Sequence, residues 1–155
     1  MSFNLAFADS AVAALRTVST PADLNRLMVA LTREMGCRYF VLIHHDDLRS
    51  TRQGLVNIKD YPAAVTERLI DNAGYRRDPI IRGCLYSGGA FLWSGLHKII
   101  RLDRRDRTAF ELGALDGLNE GVTIPYVRLG DCMGSCTFAG MSRPEQGERI
   151  LGAAR

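Results

Sequence analysis

An α+β fold is predicted for this 155-residue chain, an α-β-α sandwich in which one central antiparallel sheet has helices on both faces. Three observations predict it. Residues Arg38–His45 are apolar on both alternating sides, so this strand is covered twice. A strand pair around Gly130-Asp131 lies far along the chain, and helical apolar spacing flanks both regions. One sheet between two helical layers is the simplest packing that buries all these stripes. The length fits a single domain over residues 1–155, with a core that is stable without staples.

Taken in order, residues 3–18 place Leu5, Val12 and Leu15 at helical spacing. Thr20-Pro-Ala-Asp23 starts the next helix with a capping hydroxyl, a proline at the first helical position and an acid three residues after the cap. Leu24, Leu27, Met28, Leu31 and Met35 form its apolar face, and Gly36 ends it. On the strand that follows, Tyr39, Val41 and Ile43 share one side and Phe40 and Leu42 the other. Asp46–Gln53 reads as a polar turn and Gly54–Ile58 as a second strand, antiparallel to the first. Tyr61-Pro62 opens a helix to about Asn72, ended by Gly74. Asp78-Pro79 opens a short helix with Asp78 as its cap, and Ser87-Gly-Gly89 breaks it before the apolar Ala90–Trp93 segment. A long helix is predicted from Asp103 to about Asn119, with Ala109, Phe110, Leu112 and Leu115 inward. Gly121–Val127 and Cys132–Gly140 form the final strand pair, and Pro144–Arg155 begins a last helix.

Composition removes several function classes. With 46% hydrophobic and 24% charged residues the chain has ordinary globular usage, and its longest apolar run, Tyr39–Ile43, is far too short for a membrane span. Met1–Val18 mixes Asn4, Asp9 and Arg16 among its apolar residues, unlike a basic-then-apolar leader, so the expectation is a soluble cytoplasmic domain with no membrane partner. The net charge is +3, and the densest basic cluster, Arg101–Arg107, is interrupted by Asp103 and Asp106. A nucleic-acid surface needs a continuous positive stripe, so this is read as a solvated helix start. Cys37, Cys84, Cys132 and Cys136 read as reduced thiols, since no second close pair completes a zinc site around Cys132 and Cys136. Residues His44–Asp47 alternate across a strand and cannot converge on one ion. No metal and no cofactor are expected. No phosphate-binding glycine motif or nucleophile elbow is present, which leaves a thiol enzyme as the one catalytic alternative.

The informative stretch is Tyr61–Leu96, YPAAVTERLIDNAGYRRDPIIRGCLYSGGAFLWSGL. It has Tyr61-Pro62, then Asp78-Pro79 seventeen residues after the tyrosine, then Trp93-Ser94 fifteen after the aspartate. Further on come Gly121-Val-Thr-Ile-Pro125 and Met133-Gly-Ser-Cys-Thr137. Over roughly residues 20–141 this joint spacing resembles the autoinducer-binding domain of the LuxR-type quorum-sensing regulators. The resemblance implies a PAS- or GAF-like sensing fold, a small-molecule signal ligand of the acyl-homoserine-lactone kind, a homodimer and no enzymatic activity.

The resemblance also implies site roles. Asp78 would accept the ligand's amide N–H in a charge-assisted bond, and Tyr61 would donate to the amide carbonyl with help from Thr137. Trp93 would form an apolar wall beside the head group. The tail would lie against Val41, Ile43, Ile81, Cys84, Leu112 and Met133, with Ser135 on the last pocket strand. Each residue also has a plainer reading: Asp78 as a helix cap, Tyr61 and Trp93 as core aromatics, Thr137 as a strand residue.

Two departures qualify the likeness. The family's tryptophan four residues after the tyrosine is Val65 here, and its tyrosine four further on is Leu69. Neither has a donor for a lactone carbonyl, so the head end is wider and greasier, as expected of a regulator tuned to a different small molecule. The sequence also ends at Arg155 before the family's helix-turn-helix domain, through which alone DNA would be bound. The alternatives from another class are a ligand-independent dimerisation or interaction module, in which Val65 and Leu69 close the pocket, and a truncated homologue that inhibits a full-length regulator.

Overall fold

The computed structural model describes residues 5–44, 57–59, 61, 78–128 and 131–154. Among these, α1 spans Leu5–Arg16, α2 Pro21–Glu34, β1 Cys37–His44 and β2 Asn57–Lys59. They are followed by α3 (Pro79–Tyr86), β3 (Phe91–Leu92), a 3-10 turn (Trp93–Lys98) and α4 (Arg104–Leu115). The hairpin β4 (Gly121–Arg128) and β5 (Asp131–Met141), a second 3-10 turn (Pro144–Gln146) and α5 (Gly147–Ala154) complete the fold. The strands form one antiparallel sheet in the order β2-β1-β5-β4-β3. The predicted helix after Tyr61, the turn over Asp46–Gln53 and the residues Val65 and Leu69 lie outside the described residues.

The start and stop signals act as the sequence predicts. Thr20 accepts the Asp23 N–H at 3.1 Å, Pro21 opens α2, and Gly36 leaves the helix in the left-handed region at φ 70°. Asp103 and Asp106 cap α4 reciprocally, each carboxylate accepting the other's backbone N–H.

Alternation along the strands then separates two cores. Phe40, Leu42, Leu92, Val122, Ile124 and Phe138 pack on one face with residues of α1, α2 and α5. Tyr39, Phe91 and Ala139 point the other way, into a cluster that contains Tyr61, Cys84, Trp93, Leu96 and Phe110. Both faces are therefore covered, and the α+β sandwich is the observed architecture.

Three expectations are corrected. The predicted inward face of α4 holds only at Phe110, because Ala109 is exposed and Leu112 and Leu115 are 41% and 83% exposed. The helix docks through Phe110 against Trp93 and through Asp106 against Arg82, which turns the Leu112 edge outward, so Leu112 does not line the interior. The same helix ends at Leu115 rather than near Asn119, the chain reversing at Gly117 with φ 94°. Val12 and Leu15 on α1 are likewise close to half exposed.

Candidate functional site

The α3–α4 side of the sheet is where polar groups enter the interior. Thr123 on β4 and Thr137 on β5 are register partners and both are buried, Thr123 completely at 0% exposed. Their hydroxyl oxygens are 2.8 Å apart, and the Trp93 indole N–H donates to Thr123 Oγ1 at 3.0 Å. An indole N–H is a donor only, so burying it without an acceptor would cost about 1–3 kcal/mol.

Two residues hold Trp93 in place: Gly121, which opens the Gly121–Pro125 pattern, and Glu120, which the sequence reading did not single out. A Cβ on Gly121 would come within 2.6 Å of Trp93 Cε2, so the ring lies directly on a backbone that has no side chain beneath it. Glu120 Oε1 accepts the backbone N–H of Ser94 at 3.1 Å and of Gly121 at 3.0 Å, tying the start of the 3-10 turn to β4. Thr123, quoted in the sequence only as part of that pattern and given no role, is the third. Its signal was present in the Gly-x-Thr-x-Pro pattern, whose glycine clears space for the ring and whose threonine takes the ring's proton.

Asp78 caps α3, accepting the Ile81 N–H at 3.0 Å. Burial pushes its carboxyl up to about 6, outweighing the Ile81 and Ile80 amides and the Arg82 guanidinium, while Asp106 adds to the rise. Arg82 bridges the gap to α4, 2.6 Å from the Asp106 carboxylate. Tyr61 stands edge-on to Tyr39 with ring centroids 6.4 Å apart. Burial first, and the nearby Asp78 charge second, hold its phenol well above the ordinary tyrosine range, so it stays a proton donor.

The remaining candidates fall around this group. Cys84, 1% exposed, belongs to the same apolar cluster as Trp93, and Ile81 sits part-buried on α3. Val41 is buried opposite Thr137, and Ser135 is buried opposite Ile43 and Pro125. The side chains of Ile43 and Met133 lie outside the described residues. The structure thus brings Tyr61, Trp93 and Cys84 into one cluster, joins Trp93 to Thr137 through Thr123, and sets Asp78 within electrostatic reach of Tyr61. It leaves Leu112 out. A separate surface groove of about 250 Å³, between Arg33–Gly36 and Ser142–Ile150, shares no residue with this set. Burial pushes the Cys37 and Cys136 thiols up to about 12, so neither is a thiolate near neutral pH.

An antiparallel sheet covered twice, with polar side chains gathered inside one cover, defines an α+β domain whose candidate binding face is the α3–α4 side. The comparisons with known proteins place it further. The chain belongs to the Autoinducer binding domain family, whose profile matches residues 20–155. Such domains are the signal-binding parts of LuxR-type regulators, which are not enzymes. Over 130 residues the chain is 25% identical to a protein named as an HTH-type transcriptional regulator, y4qH of Sinorhizobium fredii, covering 81% of this chain and 39% of that one. SdiA in complex with octanoyl-rac-glycerol is similar in fold at TM-score 0.64 and 17% identity, over 99% of this chain and 66% of SdiA. The N-acylhomoserine lactone dependent LuxR family factor CepR2 of Burkholderia cenocepacia is similar at TM-score 0.67 and 16% identity, over 97% and 92%. At these identities the two structures speak to the fold alone.

Proposed function

We propose that residues 1–155 form one signal-sensing domain of a LuxR-type transcription regulator, binding an amphipathic small molecule between the sheet and the α3–α4 layer. The observation that carries this reading is that the buried strand hydroxyls of Thr123 and Thr137 and the Trp93 indole share the sheet face that also holds Tyr61. Asp78 accepts the ligand's amide N–H, Tyr61 donates to its carbonyl with Thr137 beside it, and Trp93 walls the head group. Val41, Ile43, Ile81, Cys84, Met133 and Ser135 surround the tail. Val65 and Leu69 give the head end no donor, and the Trp93 indole cannot replace one because its N–H is committed to Thr123. The ligand is therefore an acyl-homoserine lactone bound without a lactone-carbonyl donor, or another acylated molecule. The regulator acts in the cytoplasm as a homodimer and reaches DNA only through a helix-turn-helix domain outside this sequence.

Native mass spectrometry and thermal unfolding with N-octanoyl-homoserine lactone and with octanoyl-rac-glycerol test the reading. One bound molecule per chain is expected, with stabilisation approaching about 2.7 kcal/mol at a hundredfold excess over Kd. Tyr61→Phe and Asp78→Asn should each remove most of it; asparagine still caps α3, so the variant keeps its helix start. An unliganded, fully stable chain indifferent to both probes would favour the interaction module or the inhibitory short homologue instead.

A further inference from the structure

Helix α1 is apolar on two opposite faces, yet none of its described side chains is buried. Phe7, Ala11 and Ala14 share the half-buried face that rests on α2 and α5, where Phe7 joins the dry core. The opposite face presents Asp9, Val12, Ala13 and Arg16 at i, i+3, i+4 and i+7, all of them exposed, with exposed Leu15 at its edge. A helix covered on one side by its own domain ordinarily turns a polar face to water, whereas this one turns Val12, Ala13 and Leu15 outward. The match to the family profile starts at residue 20, so α1 lies ahead of the matched residues. It also packs on the side of the sheet away from the candidate ligand site.

The charges on that face say what covers it. Asp9 and Arg16 are the only charged residues of α1, and neither has an ion-pair partner among the described residues. They stand equally far, about 5 Å of helix rise, on either side of the midpoint between Val12 and Ala13. A second α1 laid antiparallel about a two-fold axis through that midpoint sets Asp9 beside Arg16 of the second copy, twice over, and Val12 against Ala13. A parallel pair would instead oppose Asp9 to Asp9 and Arg16 to Arg16. We propose that the exposed face of α1 is the surface on which a second copy of this chain docks, as an antiparallel helix pair bridged by Asp9 and Arg16. The proposal rests on the homodimer reading above and assigns its contact surface. Val12, Ala13 and Leu15 supply the apolar contact, and the two bridges fix direction and register. Two crossing helices of about three turns bury less than the roughly 800 Å² per partner of a standard interface, so the dimer forms and dissociates with concentration.

Sedimentation equilibrium of the 155-residue chain over micromolar to sub-millimolar concentrations, with and without octanoyl-rac-glycerol, tests the assignment. Wild type should pass from monomer to dimer as concentration rises, and less readily at high salt. Asp9→Arg and Arg16→Glu should each weaken the dimer about tenfold, because both symmetric bridges become repulsions. Both positions are exposed, so circular dichroism should show the fold unchanged. An equimolar mixture of the two variants should dimerise as wild type does, since the two reversed charges meet each other and the two native ones stay paired. The double variant Asp9→Arg/Arg16→Glu should recover as well. It removes the basic residue from the last turn of α1, so its recovery cannot come from a steadier helix. A wild-type dimer indifferent to both single reversals overturns this interface and leaves the homodimer reading standing. Single variants that weaken the dimer without recovery on mixing overturn the antiparallel register. A chain that stays monomeric at every concentration overturns the homodimer reading and the interface with it.

Discussion

On the α1–α2–α5 side of the sheet, Phe40, Val122 and Phe138 pack in an apolar cluster, whereas one residue along the same strands Thr123 and Thr137 hold hydroxyls in the α3–α4 interior. A period of two therefore builds a dry face and a polar-studded face from the same three central strands. The dry face takes its stability from burial, at about 25 cal/mol per Å² of apolar surface. The other face gives up part of that gain for groups that must each find a partner, which makes it geometrically specific. The binding function proposed above is placed on the second face because a wrong guest there leaves a buried donor or acceptor unmatched.

The comparison breaks most visibly at Phe40, 1% exposed at the centre of the dry face. Phe40→Ala should cost about 3–5 kcal/mol in urea unfolding, with the Tm gain from a bound ligand unchanged. Equal damage to stability and to ligand response would mean the two faces are one unit.

Asp78 gives the next effect. Its carboxyl is raised to about 6 in the folded domain, so between about pH 4 and 6 the folded state holds the proton more tightly than the unfolded chain. Ligand-free stability should fall as pH rises through that window, by at most about 3 kcal/mol, and level off above it. Asp78→Asn should flatten this slope and leave the rest of the pH profile alone. A stability that instead rises across pH 4 to 6 in wild type, and equally in the variant, would remove Asp78 as its source.

Gly121→Ala sharpens the contrast with a smaller change. The new methyl would press into the Trp93 ring, costing about 1–3 kcal/mol and shifting the tryptophan fluorescence. An unaltered emission spectrum would show that the indole does not rest on Gly121.

Much of this was legible in the sequence where one local rule decides. Thr20, Pro21 and Gly36 bound α2, Asp103 caps α4, and β1 reads as covered on both sides because both its faces are apolar. The candidate site was read as a set of separated residues through family spacing. What stayed hidden depends on partners far along the chain. Helical spacing marked Leu112 and Leu115 as apolar but could not say that α4 docks by Phe110 and Asp106. A two-residue edge strand such as β3 has no period to read. Nothing local marks Glu120 until the fold brings the Ser94 and Gly121 amides to it, and Thr123 is only one letter of the Gly121–Pro125 pattern until Trp93 arrives from thirty positions away.

The separation of the two faces is tested most directly by methyl NMR during titration with N-octanoyl-homoserine lactone or octanoyl-rac-glycerol. The methyls of Val41, Ile80, Thr123 and Thr137 should move saturably, while those of Val122, Ile124 and Ile150 stay where they are. Shifts centred on Val122, Ile124 and Ile150, or no shift anywhere at saturating probe, would contradict a ligand site on the α3–α4 face.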